Sequence, residues 1–339
     1  MTIHKRTING RAVNPIGLGC MSLSWGYGTP GTDEDGARLL LRALDLGYDH
    51  LDTARLYGLG HNEELIGKTL AGRRQEFFLA SKTGIIMEDG QRRSDSRPET
   101  IRQQLEISLR LLQTDHIDLY YLHRRDFNTP IEESVGALAD LVREGKIGAI
   151  GLSEMSADTL RRAAAVHPIA AMQTEYSPMT RNPEIAVLEA CRDLGTTFVA
   201  FSPFGRGALS AGLRDPSTLP ETDIRVGMPR FQGDNWTHNL ALVDAFAAIA
   251  RREGVTPAQL SLAWVLARGD HIVTIPGTSR IDHLEENIAR ADWEIPAAVV
   301  DEVDALINTR TVAGGRYPPQ MQATVETEVF EGELADSLA

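Results

Sequence analysis

Asp52, Tyr57, Lys82 and His123 each stand at or just past the end of a short apolar run. The runs read Asp49-His50-Leu51-Asp52, Phe77-Phe78-Leu79-Ala80-Ser81-Lys82 and Ile117-Asp118-Leu119-Tyr120-Tyr121-Leu122-His123, with Tyr57 five residues beyond Asp52. A phenol among an ammonium, a carboxylate and an imidazole is equipment for proton transfer. A tyrosine near its free pKa of about 10 is a poor donor at neutral pH, and a nearby ammonium is expected to lower that value. Asp52 would hold Lys82 charged and in place, His123 would orient a carbonyl oxygen, and Tyr57 would protonate that oxygen as charge develops on it. Such a site lacks only a hydride donor. Taken singly, each residue also has a structural reading: a buried ion pair, a core imidazole, a loop aromatic.

Something must bring these positions together. Apolar runs near 16–20, 48–52, 77–82, 117–122, 147–152, 169–173, 197–201 and 272–275 alternate with segments of helical period. Ser96 is expected to cap a helix carrying Ile101, Leu105, Leu109 and Leu112, and Thr256-Pro257-Ala258-Gln259 has the form of a capping box. Eight strand–helix repeats predict an α/β fold, the (β/α)8 TIM barrel. In that fold Asp52, Lys82 and His123 end strands 2, 3 and 4 and meet at the carboxyl-terminal mouth, within reach of Tyr57. An Asn9-Gly10 turn predicts a β-hairpin over about 6–15 that closes the barrel's bottom. No low-complexity linker divides residues 1–339, so one domain is expected, with a long loop at 206–237 and a polar, acidic tail at about 311–339.

Composition narrows the function. The 339 residues are 42% hydrophobic and 24% charged, enough for a large core. A net charge of -13 argues against nucleic acid or an anionic membrane as a partner. Cys20 and Cys191 are too few for a disulfide framework, and neither a signal peptide nor a spanning apolar run is evident, so a cytoplasmic setting is expected. Of 34 basic residues only Lys5, Lys68, Lys82 and Lys146 are lysines, which makes one at a strand end stand out.

Competing motifs fail on context. Gly26-Tyr27-Gly28-Thr29-Pro30-Gly31 matches a dinucleotide fingerprint, but Met21 to Trp25 separate it from the strand and Pro30 removes an amide. Gly67-Lys68-Thr69 resembles the end of a P-loop, yet Asn62 stands where that motif needs glycine. His-Glu-x-x-His, Cys-x-x-Cys and Gly-x-Ser-x-Gly are all lacking, so no metal site and no serine nucleophile is expected.

The chain resembles the aldo-keto reductase superfamily from about Ile8 to Glu326. The resemblance is carried by Asp52-Thr53-Ala54 with Tyr57-Gly58, Asn62-Glu63, Ser81-Lys82, Leu122-His123 and Gly151-Leu152-Ser153-Glu154. It continues through Gln173-x-Glu175-Tyr176-Ser177, Phe201-Ser202-Pro203-Phe204-Gly205-Arg206-Gly207, Ile275-Pro276-Gly277-Thr278 and Leu284-Glu285-Glu286-Asn287. It implies a barrel reductase that uses NAD(P)H on aldehydes or ketones, with Asp52, Tyr57, Lys82 and His123 as its tetrad and Tyr57 as the acid. It also implies Ser153 and Gln173 at the nicotinamide carboxamide, Phe201 stacked on the ring, and further cofactor contacts at Met21, Ser202, Pro203, Gly205 and Gly207. Phe201 could alternatively be barrel filling. The stretch Ser202–Gly207 offers amides and Arg206 to a pyrophosphate, and Gly277-Thr278-Ser279-Arg280 opens a helix suited to the 2′-phosphate, which favours NADPH. Glu286 and Asn287 match adenine-side residues, though they could equally form a solvated helix face.

The sequence is most like the bacterial and plant aldehyde (pyridoxal-type) reductases, through Glu154, Pro229-Arg230-Phe231-Gln232-Gly233 and Gly315-Arg316-Tyr317-Pro318, segments expected to border the pocket. It departs from the wider family at Glu154, often asparagine, at Gly277, often basic, and at Arg55, often acidic. Trp25, Tyr27 and Trp236, with the 206–237 loop, are candidate walls for a fairly apolar carbonyl substrate, or else packed loop anchors. The rival reading is a cofactor-sensing regulatory subunit with slow turnover or none, since related barrels serve that role.

Overall fold

A computed structural model describes residues 4–331 and 333. Eight parallel strands follow one another around a barrel: β3 (Leu18–Gly19), β4 (His50–Asp52), β5 (Phe78–Thr83), β8 (Leu119–Leu122), β9 (Ile150–Ser153), β10 (Ile169–Glu175), β11 (Thr197–Phe201) and β12 (Ile272–Ile275). Parallel bridges Ile16↔Thr274 and Gly19↔Gly277 join the last strand to the first and close it. This is the expected (β/α)8 barrel, with several strands shorter than their apolar runs.

Strand parity sorts the side chains. Leu79, Tyr120, Leu122, Ile150, Leu152, Met172, Phe198 and Ala200 face outward into the layer packed under the helices. Phe78, Ala80, Leu119, Tyr121, Ala149, Ala171, Val199, Val273 and Ile275 fill the interior. Because side chains alternate with period 2, the inward set continues at the carboxyl ends to Asp52, Lys82, His123, Ser153, Gln173 and Phe201. Gly151 makes room inside: a Cβ there would sit 2.3 Å from a Tyr121 ring carbon.

Helices α1 (Asp33–Asp45), α2 (His61–Leu70), α3 (Pro98–Leu111), α4 (Ile131–Arg143), α5 (Ala157–Val166), α6 (Val187–Leu194), α7 (Gly233–Arg252), α8 (Pro257–Leu266) and α9 (Ile281–Ile288) cover the barrel, followed by α10 (Ala297–Leu306) and α11 (Pro319–Gln322). The expected capping box at Thr256 and Gln259 is present. Ser96 does not cap α3. Arg97 holds that position ahead of Pro98, and Ser96 instead gives its amide to Asp126 and accepts from Ser134.

Strands β1 (Arg6–Ile8) and β2 (Arg11–Val13) form the expected hairpin, with Asn9 and Gly10 at φ 48° and 77° as a tight two-residue turn requires. Ile8 and Val13 pack into the interior core, while Thr7 and Asn9 bond Thr197 and Gly148 at the strands' amino ends. The bottom is thereby plugged. A second hairpin, β6 (Ile85–Glu88) and β7 (Gln91–Ser94), follows β5 on the opposite side, at the mouth. Its Asp89-Gly90 turn was a readable signal that the sequence analysis missed.

The 206–237 stretch is not one loop. Four 3-10 turns occupy Ala208–Ser210, Pro216–Thr218, Ile224–Gly227 and Pro229–Phe231, and α7 begins at Gly233. The segment beyond 311 is docked on the barrel as far as it is described. Arg316 is buried between Glu154 and Glu175, and Thr327 donates to Glu154 at 2.9 Å. The rest of the expected tail, residue 332 and residues 334–339, lies outside the described residues. No helix among the described residues is long and apolar enough to cross a membrane.

Candidate active site

Tyr57 is brought back over the barrel by backbone bonds. After β4 the amides of Thr53 and Arg55 donate to the carbonyls of Ala80 (2.9 Å) and Lys82 (3.2 Å), so the chain stays pinned along β5. Gly58, Leu59 and Gly60 then turn through left-handed conformations into α2. Asn62 braces the turn: it accepts from Thr53 Oγ1 at 2.6 Å and donates to the Cys20 carbonyl at 2.8 Å. Glu63, buried beside it, accepts from Ser81 at 2.6 Å.

The four expected residues meet there. The Lys82 ammonium donates to Asp52 Oδ1 in a short contact, to the Thr53 carbonyl at 2.8 Å and to the Tyr57 hydroxyl at 3.4 Å. The Lys82 and Asp52 side chains are 0% and 3% exposed, so this pair is cut off from water. Asp52 Oδ2 accepts from Gln173 at 2.7 Å. The Tyr57 and His123 rings lie edge to face, 5.8 Å between centroids.

Burial resists the Lys82 charge, but Asp52, with Tyr57 behind it, outweighs burial and holds the ammonium above its ordinary pKa. His123 is held well below its ordinary value, first by burial and then by Arg124, Lys82 and Arg92, so it is a neutral imidazole. Tyr57 corrects the sequence analysis. Burial raises its pKa, and Lys82 opposes that shift without overcoming it. The phenol therefore stays protonated across the neutral range and can still protonate an alkoxide, which is far more basic. Arg55 makes a minor contribution that lowers the pKa of Glu63 and of Tyr120.

Above these residues opens a cleft of about 440 Å³. Met21, Ser153, Gln173, Phe201, Ser202, Pro203, Arg206, Gly207, Gly277, Thr278, Ser279, Arg280, Glu286 and Asn287 line it, as do Trp25 and Tyr27. Asn287 is buried, so it is no solvated helix face. Arg280 precedes α9, exposed and paired with Asp282. Backbone strain gathers at this mouth: Glu154, Ser202 and Arg206 follow the strands at φ 56°, 49° and 57°.

Several expectations fail. Gly205 does not reach the cleft: its amide donates to the Ser202 carbonyl at 3.0 Å, and a Cβ on it would meet Met179. Gly207 also spends its amide within the turn, on Phe204. Arg206 lines the wall, but its guanidinium is engaged by Glu175 and the Tyr317 hydroxyl, each at 2.6 Å. Trp236 is a packed anchor, 6% exposed, stacked on Phe231 and donating to the Arg214 carbonyl. Pro229–Gly233 stays off the cleft, which Met228 reaches instead, whereas Tyr317 lines it as expected. Glu154 faces away, gripping Arg316 and Thr327. Arg92, Arg124, Arg225 and His283, none of them among the expected site residues, also line the cleft. Arg124, directly after His123, and Arg92, beside the Asp89-Gly90 turn, had readable positions.

The resemblance is matched by comparison with known proteins. The Aldo/keto reductase family profile matches residues 15–308. The NADP(+) aldo-keto reductase yakc of Schizosaccharomyces pombe is 45% identical over 326 residues, covering 94% of this chain and 96% of its own. A probable aldo-keto reductase of Glycine max is 40% identical, covering 91% and 89%. Among solved structures, a glycerol dehydrogenase of Gluconobacter oxydans superposes with TM-score 0.82 at 28% identity, over 97% of this chain and 98% of its own. An aldo-keto reductase of Klebsiella pneumoniae solved with NADPH gives 0.72 at 27%, over 91% and 96%. Barrel order, the residues met at its mouth and full-length similarity agree, and this chain belongs to the aldo/keto reductase family.

Proposed function

We propose that the protein reduces aldehydes or ketones to alcohols with NADPH, and that Tyr57 is the proton donor. The observation that carries this reading is the floor of the cleft: a protonated phenol and a neutral imidazole side by side, with the buried Lys82–Asp52 pair directly behind. The names of the fission yeast and Klebsiella relatives, one NADP(+) and one bound to NADPH, support the cofactor.

The cleft residues fit such a cofactor. Phe201 presents a flat face at the end of β11, and Ser153 and Gln173 offer a hydroxyl and an amide beside it. At the other end Thr278, Ser279 and Arg280 stand where α9 opens, the setting for a phosphate, and Glu286 with Asn287 would meet the adenine side. When bound, the reduced nicotinamide supplies the hydride. Tyr57 gives its proton to the carbonyl oxygen, and His123, neutral, donates a hydrogen bond that orients it. Lys82 stabilises the phenolate left behind, held in place by Asp52. Arg206 we assign to the wall rather than to the pyrophosphate, because Glu175 already neutralises it.

We take residues 309–331 as part of the same domain, since Arg316 pairs with the ends of β9 and β10. A cytoplasmic setting is supported by Cys20 and Cys191, both free and buried.

The test follows NADPH absorbance with a panel of aryl and aliphatic aldehydes. Tyr57→Phe is expected to lower kcat by at least about 100-fold, the usual scale for a positioned acid, with NADPH affinity nearly kept. Undiminished turnover in that variant sinks the acid assignment. Tight NADPH binding with no aldehyde turned over returns the chain to the regulatory reading.

A further inference from the structure

Five arginines line the cleft: Arg92, Arg124, Arg206, Arg225 and Arg280. Three are paired with a carboxylate, Arg206 with buried Glu175 at 2.6 Å, Arg225 with Asp223 at 2.7 Å and Arg280 with Asp282 in an exposed pair open to exchange at the far end of the cleft. Arg92 and Arg124 form no ion pair among the described residues. Arg124 donates to the His123 carbonyl at 2.6 Å and to Ser153 Oγ at 3.3 Å. Arg92 lies over the Trp25 ring, 5.5 Å from its centroid, and the nearby charge that acts on it is the like charge of Arg124.

This is an odd arrangement for a chain with 47 acidic and 34 basic residues. An acid could have stood beside either guanidinium, and none among the described residues pairs with it. Among the described residues, the carboxylates in the cleft lining are Asp52, whose oxygens are taken by Lys82 and Gln173, and Glu286 on α9. Two like charges near one another repel, and an anion between them removes that cost. Both line the same cleft as Tyr57 and His123. Arg92 comes from the β6–β7 hairpin and Arg124 from the residue after His123, so they come at the substrate end from separate elements.

We propose that the carbonyl substrate carries an anionic group, a carboxylate or a phosphate, held by Arg92 and Arg124 while its carbonyl faces Tyr57 and His123. The proposal rests on the carbonyl-reductase reading above. It replaces the fairly apolar substrate expected from Trp25 and Tyr27, whose rings become the sides of the path. Arginine suits the task, because its planar fork binds either anion through paired hydrogen bonds.

The experiment measures kcat/KM with NADPH for matched pairs: benzaldehyde and 4-carboxybenzaldehyde, butyraldehyde and succinic semialdehyde, glyceraldehyde and glyceraldehyde 3-phosphate. The anionic member is expected to lead by about tenfold or more in at least one pair, with the lead shrinking as salt rises. A lead confined to the last pair assigns phosphate, and one confined to the first two assigns carboxylate. Arg92→Gln is expected to cut the anionic-to-neutral ratio about tenfold, and Arg92→Glu to invert it. Equal turnover within all three pairs, or a ratio unmoved by Arg92→Glu, overturns the proposal and leaves the reductase reading intact. If no aldehyde is turned over, the reductase reading fails, and thermal protection decides the arginine site alone. Benzoate or inorganic phosphate is expected to protect the wild type more than uncharged benzamide does and Arg92→Glu less; no difference overturns it.

Discussion

Replacing Arg316 with methionine tests how the carboxyl-terminal segment is fastened to the barrel. The Arg316 guanidinium bridges Glu154 and Glu175, two carboxylates buried at the ends of β9 and β10. Burial alone would raise the Glu175 pKa, but Arg206 and Arg316 bring it down to about 2. Against an unfolded value near 4.3, a shift of that size corresponds to about 3 kcal/mol. Because the folded value is depressed, that stability is complete above pH ~4.3 and is lost as the pH falls through ~2. Glu154 is also depressed, with burial outweighed chiefly by Arg316.

In Arg316→Met, Glu175 keeps Arg206, whereas Glu154 loses its ion-pair partner and keeps the Thr327 hydroxyl and the Glu175 amide. Breaking a buried pair from one side costs about 3–5 kcal/mol. The penalty should ease on acidification, because the stranded Glu154 then takes up a proton. Urea unfolding at pH 7 and pH 4 measures this directly. The variant is expected to lose about 3 kcal/mol or more at pH 7 and distinctly less at pH 4, and Glu154→Gln in the same chain should recover part of the loss. A loss below about 1 kcal/mol at pH 7, or equal losses at both pH values, would refute the clamp.

Arg280→Ala should weaken NADPH binding far more than NADH binding, measured by fluorescence titration; equal weakening removes the 2′-phosphate role. With the His123 pKa well below 6.5, its protonation should not shape activity near that value, so kcat against pH should show no acidic limb there. Keeping His123 neutral also means that stability falls as the pH drops below the unfolded value of ~6.5, a loss that His123→Gln should lessen, with the depressed His50 and His271 accounting for what remains. Trp25→Ala should raise aldehyde KM several-fold. Trp236→Phe, altered at a packed anchor, should lower Tm and leave KM within about twofold, and the reverse pattern would restore Trp236 as a substrate wall.

The barrel was readable because its signals are local. Period-2 alternation in runs such as Phe78–Thr83 fixes which side chains face inward, and it carries Lys82, His123, Ser153 and Gln173 to one mouth. The Asn9-Gly10 turn and the Thr256 capping box are equally short-range, and both formed as expected. Errors fell where neighbours in sequence do not decide. Ser96 looked like a helix cap until Asp126 and Ser134 claimed it. Trp236 looked available until Phe231 stacked on it. The 206–237 stretch lacked a periodic pattern because short 3-10 turns have too few residues to display one.

By itself the sequence determined the strand order, the inward face and the four residues that meet at the barrel mouth, since these follow from backbone periodicity and from the order of motifs. Tertiary structure alone decided how the charges are spent. Glu175 meets Arg206 and Arg316 across separations of 31 and 141 residues, while Arg92 and Arg124 form no ion pair among the described residues. It also decided that burial, rather than Lys82, sets the direction of the Tyr57 shift. Pairing and desolvation depend on what surrounds a group in space, and neither is written in the spacing of residues along a chain.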